Sequence, residues 1–312
     1  MACPVVVHRA HNRVRLSSTA SPGAWWWGGP CCGWMLGVRT TAEPLDALDA
    51  LDAALRDLGP VIIACSGGID SLLLATVAHR RDPGTTVVGH TVTPAVPSEG
   101  TARVVTHARD EGWDLRLVRS REFDDERYLA NPTDRCYYCK TNLYDALVEL
   151  GAELGRPGVT VLSGANLDDL GEYRPGLQAA AEHGVRHPYV EAGIDKAEIR
   201  AMARVLELPE AELPASPCLA SRLYTGTRVT AARLHAVELG EAVLRGHGHD
   251  VARCRIRTTE VMVEVPDADR DRISEELLDD VTRAMRAAEP TLTAARLDPQ
   301  PYRPGRAVLH LR

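Results

Sequence analysis

The chain predicts an α/β fold, a doubly wound parallel sheet followed by a small C-terminal α+β domain, and three observations carry that expectation. Short apolar runs alternate with segments of helical periodicity from residue 44 onward, the pattern that lays helices over both faces of a parallel sheet. The first run, Val61 to Ala64, leads straight into Ser66-Gly67-Gly68, a strand-to-helix turn of the kind at which such sheets bind ligands. After Pro209, Pro214 and Pro217 the order becomes helix, strand, strand, helix, strand, which predicts a second, smaller unit.

Each element has its own signal. Leu45, Leu48, Leu51, Leu55 and Leu58 recur at helical spacing before the strand at Val61. A helix opens at Asp70-Ser71, and Thr86 to Val92 reads as the second strand. Thr101 to Gly112 is predicted helical, and Asp114 to Val118 and Val159 to Ser163 are predicted as the third and fourth strands. Asn131 has the character of an N-cap, with Pro132 at the first helical position and Asp134 closing the box, so a helix is expected from there. Asp195-Lys196-Ala197-Glu198 is a capping box for a helix to about Leu206. In the second unit, helices are expected over Thr230–Arg245 and Asp267–Ala288. Two short strands are expected within Ala252–Val265 and a third over Thr291–Arg296. The domain boundaries read as 41–222 and 223–312.

Residues 1–40 differ from the rest. Trp25-Trp26-Trp27 and Cys31-Cys32 sit among Gly and Pro without periodicity, and Arg9, Arg13 and Arg15 precede no continuous apolar stretch, so a signal peptide is not expected. This segment reads as a disordered extension or as a start assigned too early, with Met35 the alternative start. The 312-residue chain carries a formal net charge of −7, which provides no global basic field for nucleic acid. No apolar run reaches the length of a membrane span. Eight scattered cysteines in a chain of this size fit a reducing cytoplasm better than a disulfide framework.

The chemistry concentrates in a few segments. A strand end, two glycines and a helix N-terminus gather backbone N–H groups in one concavity suited to an anion. Ser66 and Ser71 can add hydroxyl donors, Gly67 and Gly68 allow close approach, and Asp70 is placed to help hold a metal counter-ion. No Gly-Lys-Ser/Thr follows, which excludes a Walker loop. Cys136 and Cys139 stand at i and i+3 near a helix start, where the dipole favours thiolate; half a zinc site or two buried cysteines are the alternatives. Cys218 lies in Ser216-Pro217-Cys218-Leu219-Ala220-Ser221-Arg222, where Arg222 can act on the thiol by charge. Three thiolates with one open iron position also suit a [4Fe–4S] cluster. Asp168 and Asp169, after the fourth strand, are natural magnesium ligands or else part of a helix cap. Lys196 reaches the phosphates or is a solvated first-turn lysine. Arg255 and Arg257 share one strand face, for an anionic substrate or for solvent.

The Ser66-to-Ser71 loop resembles the signature of the N-type ATP pyrophosphatases, or PP-loop enzymes. Asn131-to-Lys140, Gly164-to-Gly176 and Cys218-to-Arg222 narrow that resemblance to the LarE family of ATP-dependent sulfur transferases, which serve nickel-pincer nucleotide synthesis; Gly193-to-Arg200 and Tyr302-to-Gly305 add support. The resemblance implies adenylation of a carboxylate of a pyridinium-3,5-biscarboxylate mononucleotide, with AMP and pyrophosphate as products. A thiocarboxylate then forms, its sulfur taken from a cysteine or from a cysteine-bound [4Fe–4S] cluster. It implies ATP and Mg2+ at Ser66, Gly67, Gly68, Asp70, Ser71, Gly164 and Lys196, with Asp70, Asp168 and Asp169 on magnesium. Cys218, Cys136 and Cys139 are implied as the sulfur residues and Arg222, Arg255 and Arg257 as substrate contacts. Cys136 and Cys139 beside Cys218 resemble the three-cysteine branch, and the family implies a homo-oligomer. Thr258-Thr259-Glu260 departs from the family's usual turn, which weakens the transfer of roles to Arg255 and Arg257. A tRNA-thiolating enzyme and an ammonia-dependent adenylating synthetase are the alternatives.

Overall fold

A computed structural model describes residues 44–171, 174–303 and 305–307. The expectation for residues 1–40 lies outside the described residues, as do positions 172, 173 and 304 within the segments compared above.

Helix α1 (Pro44–Leu55) precedes β1 (Val61–Ala64), α2 (Ile69–Arg81), β2 (Thr86–Thr91), α3 (Ser98–Glu111) and β3 (Asp114–Val118). The short α4 (Glu126–Leu129) and the long α5 (Arg135–Glu153) lead to β4 (Thr160–Ser163). Three further helices follow, α6 (Pro175–Glu182), α7 (Pro188–Glu191) and α8 (Lys196–Val205). All four strands pair in parallel in the order β3-β2-β1-β4. Strand alternation sends Ile63, Val88 and Leu162 into a core with α1, α2 and α8, while Ile62, Val87 and Val161 pack with Tyr144, Leu147 and Ala179 on the opposite face. The sheet is therefore doubly wound, as the sequence predicts. Strand order reverses between β1 and β4, and a crevice for ligand lies at such a switch point.

A small C-terminal sheet and its helices follow: α9 (Ala231–Gly246), β5 (Arg253–Arg257), β6 (Glu260–Glu264), α10 (Glu275–Ala288) and β7 (Ala295–Leu297). β5 and β6 are antiparallel and β7 joins β6 in parallel. Val237, Leu244, Ile256, Val263, Val281 and Met285 fill its core, into which Ala95 and Tyr128 of the earlier segment also reach.

Several boundaries move for physical reasons. Asn131 is no N-cap: it is buried with φ +54°, its side chain bonds elsewhere, and α5 starts only at Arg135. The helix expected over Asp267–Ala288 is instead a 3₁₀ run, Asp267–Arg272, and then α10, because the Ser274 hydroxyl accepts from the Leu277 N–H and starts a new helix. Strand β7 is confined to Ala295–Leu297. The capping box of α8 forms as expected, Asp195 accepting from the Glu198 N–H and Glu198 from the Asp195 N–H, each at 2.9 Å. No helix among the described residues is long and apolar enough to cross a membrane.

Candidate active site

The turn after β1 is held by one hydroxyl. Ser71 Oγ donates to the Gly68 carbonyl at 3.0 Å, accepts from the Ser66 N–H at 3.1 Å, and lies 3.2 Å from Ser66 Oγ. Since its single proton goes to Gly68, Ser66 is the donor in that last contact. Gly67 takes φ +80°, and a Cβ there would stand 2.7 Å from the Gly100 carbonyl oxygen, so the loop closes against the start of α3 only with glycine. Arg103 Nη1 donates to the Gly67 carbonyl at 2.7 Å. No side chain caps α2 at Gly68, which leaves first-turn N–H groups for an anion.

Across the switch point, the loop after β4 touches this turn directly. A Cβ on Gly164 would lie 3.0 Å from the Asp70 carbonyl carbon and the Ser71 nitrogen, so the two loops meet backbone to backbone. Lys196, at the first position of α8, places Nζ 2.5 and 2.6 Å from the two Asp70 carboxylate oxygens. Asn166 Nδ2 donates to Asp70 at 3.4 Å, and Asp168 accepts from the Lys196 backbone N–H at 3.2 Å. Asp169 accepts from the Asn166 N–H and pairs with Arg174 at 2.8 Å. Asp70, Asp168 and Asp169 are thus drawn to one strand-end region together with Lys196. Each carboxylate already has a partner there.

The cysteines come from distant segments. Asn131 ties those segments together: its Nδ2 donates to the carbonyls of Tyr224 and Thr227, both at 2.9 Å, and the Gly226 N–H donates to its own carbonyl at 2.8 Å. Buried Arg135 donates through Nη1 to Asn131 Oδ1 and to the Ala220 carbonyl, the latter at 2.9 Å. These bonds hold the start of α5, with exposed Cys136 and half-buried Cys139, against the turn carrying half-buried Cys218. The three thiols are close enough to act on one another and on Arg135 and Lys140 by charge.

The expected thiolate at Cys139 needs correction. Burial pushes that thiol up to about 12, with Cys218, Glu122 and Cys136 adding to the rise and Lys140 opposing it. Desolvation outweighs the helix dipole at this position. Tyr128, 1% exposed, is raised too, first by burial and then by Cys218 and Cys139, and its hydroxyl has no hydrogen-bond partner among the described residues. Burial acts to lower Lys140, but the Tyr144 phenol and the three thiols outweigh it and leave the ammonium raised.

The three arginines occupy different settings. Arg222 forms a buried two-point pair with Glu241, both bonds 2.9 Å, and donates to the Pro217 carbonyl at 2.7 Å. Arg255 is equally buried, paired with Glu264 at 2.9 Å and bonded to the Ser221 carbonyl at 2.8 Å. Both guanidiniums brace the Cys218 turn from inside the protein. Exposed Arg257 lies over the Tyr224 ring at 4.3 Å. Thr258 has φ +56°, so the turn between β5 and β6 places a threonine in the left-handed region.

Among the described residues, no three His, Cys, Asp or Glu side chains are arranged to hold a metal ion. Arg135, Tyr128 and Lys140 carry no expected role from sequence, and Asn131 only that of a helix cap. For Lys140 a signal existed, since it stands four residues after Cys136 on the same helix face.

No protein-family profile matches the chain. It is 37% identical to an uncharacterised protein of Synechocystis sp. over 219 residues, which cover 70% of this chain and 81% of that protein. It is 27% identical over 207 residues to an uncharacterised protein of Methanocaldococcus jannaschii, covering 66% and 78% of the two chains. With the pyridinium-3,5-bisthiocarboxylic acid mononucleotide synthase of Lactiplantibacillus plantarum it shares 33% identity over 221 residues, 70% of this chain and 79% of that enzyme. The glycine turn, the clustered thiols and this relationship agree, and the chain belongs to the LarE family.

Proposed function

We propose that the protein is an ATP-dependent sulfur transferase that converts a carboxylate of pyridinium-3,5-biscarboxylate mononucleotide into a thiocarboxylate, releasing AMP and pyrophosphate. The observation that carries this reading is the gathering of Cys136, Cys139 and Cys218, from two separate segments, into one electrostatic neighbourhood. An anion-binding turn alone would suit any adenylating enzyme, whereas clustered thiols supply the nucleophile that sulfur transfer requires.

In this reading Mg-ATP is a substrate bound at Ser66, Gly67, Gly68, Ser71 and Gly164. Lys196 leaves Asp70 for the phosphates, which frees that carboxylate for the nucleotide's magnesium; Asp168 and Asp169 stand nearby. A substrate carboxylate oxygen attacks the α-phosphorus and pyrophosphate departs. Cys218 sulfur then attacks the acyl carbon, a C–S bond forms, and AMP leaves with the electrons of the broken C–O bond. Loss of the Cys218 α-proton and cleavage of its Cβ–S bond release the thiocarboxylate and leave dehydroalanine. Arg222 and Arg255 position the Cys218 turn, and Arg257 is the remaining substrate contact. The chain works as a cytoplasmic homo-oligomer on a small nucleotide, without nucleic acid.

Cys218→Ala should abolish thiocarboxylate formation and leave ATP binding within twofold of native. A variant that still makes product would sink the reading. The same three thiols support a second source, a [4Fe–4S] cluster that carries the sulfur. Iron and sulfide analysis after anaerobic purification separates the two: about four irons per chain, lost in Cys136→Ala, favour the cluster, and none favours Cys218.

A further inference from the structure

The cations around the thiols and the nucleotide turn are almost all committed. Lys196 is bound to Asp70, Arg103 to the Gly67 carbonyl, and Arg222 and Arg255 to buried glutamates. Arg135 is anchored to Asn131 and the Ala220 carbonyl. Lys140 is different: half-buried on α5, it makes no hydrogen bond or ion pair with any described residue. A half-buried ammonium without an anion is unusual, because leaving water for a site with no partner costs free energy.

Its position is specific. Cys136, Lys140 and Tyr144 follow one another at i, i+4 and i+8 along one face of α5. At one end of that row lie the thiols; at the other, Tyr144 lies close to Ser163, the last residue of β4. The next residue, Gly164, packs on the Asp70–Ser71 backbone. Gly176 at the start of α6 lies over the lysine stem, where a Cβ would stand 3.0 Å from Lys140 Cγ. The side chain is thereby confined between the nucleotide turn and the sulfur atoms. In the sulfur-transferase reading an acyl group passes from the first to the second, on the side where this lysine stands.

We propose that Lys140 is a catalytic residue that receives the substrate's carboxylate and then stabilises the oxyanion formed when Cys218 sulfur adds to the acyl adenylate. This rests on the sulfur-transferase reading above. In the addition step the sulfur lone pair forms the C–S bond and the carbonyl π electrons move to oxygen. Collapse of that oxyanion expels AMP. The ammonium faces negative charge at both stages, which explains an unpaired cation here. It remains protonated throughout and exchanges no proton with substrate.

The test compares native protein, Lys140→Met and Lys140→Arg, with Mg-ATP and pyridinium-3,5-biscarboxylate mononucleotide. Losing an oxyanion donor typically lowers kcat about 100-fold or more. Lys140→Met should show that loss in thiocarboxylate formation and weaker dicarboxylate binding by calorimetry, with ATP affinity and thermal midpoint unchanged. Lys140→Arg should recover a measurable part of both. Native-like turnover and dicarboxylate binding in Lys140→Met would overturn the proposal. If the native protein forms no thiocarboxylate, yet binds the dicarboxylate in a Lys140-dependent way, the sulfur-transferase reading fails and the carboxylate site stands. If native protein turns over and Lys140→Met equals it, the reverse holds.

Discussion

Lys196 grips both carboxylate oxygens of Asp70 across the switch point of the sheet, at 2.5 and 2.6 Å. The pair joins the first turn of α8 to the first turn of α2, and both side chains are about one-third exposed or less. A pair so accessible to water contributes about 0–1 kcal/mol to stability. Its significance is electrostatic: the lysine occupies the carboxylate that the proposed function assigns to magnesium.

Lys196→Met should therefore weaken ATP binding at least tenfold by calorimetry while moving the thermal midpoint by no more than a few degrees. Asp70→Asn should instead weaken the magnesium dependence of ATP binding.

Gly164→Ala should disturb both loops at once. The added methyl meets Asp70 and Ser71 backbone at 3.0 Å, and neither can swing away like a side chain. A loss of about 1–3 kcal/mol in urea unfolding is expected, together with reduced ATP affinity.

Arg222→Met should be among the most destabilising single changes in the C-terminal half, because it leaves Glu241 buried and unpaired. About 3–5 kcal/mol is expected. The double variant with Glu241→Met should recover a large share, which a double-mutant cycle in urea would measure.

Cys136 should be alkylated by iodoacetamide at pH 8 well before Cys139, as read by peptide mass mapping. Cys136 is exposed, whereas Cys139 is held at about 12 by burial and keeps almost no thiolate at that pH.

Stability should fall on mild acidification. Burial lowers the His90 imidazole, which lies between the Cys65 carbonyl and the Thr101 hydroxyl. Below about 6.5 the unfolded chain takes up a proton that the folded chain resists. The contribution is intact above that value and is lost as pH falls toward the lowered folded one. Urea unfolding at pH 5, 6 and 7 should show the decline, and His90→Gln should reduce it, the remainder coming in part from His187, which burial also lowers.

The parallel sheet and its glycine turn were legible because their signals are local. Val61 to Ala64, the serines and the two glycines lie within a dozen residues, and backbone geometry there follows from residue type. The α8 capping box was legible for the same reason. Asn131 was misread because its local signature is that of a cap, while its bonds run to Tyr224 and Thr227, far along the chain. Cys139 was misread because the dipole is a property of the helix, whereas burial comes from what packs on it. Arg222 read as a charge acting on Cys218 and Arg255 as a cation for substrate or solvent, because Glu241 and Glu264, their buried partners, are invisible as such in sequence.

Asn131 has one more consequence, which concerns order in time. A chain is made from its N-terminus, and the groups from Ser66 to Lys196 are all present before the carbonyls that Asn131 needs. The nucleotide turn can form while Cys136 still has no counterpart. Only when Tyr224 and Thr227 emerge can the clamp close and bring Cys218 to its neighbours. A nascent chain can thus hold the β1–α2 turn in its folded form while Cys136 and Cys218 stay apart, and the two meet only after residue 227 has been made.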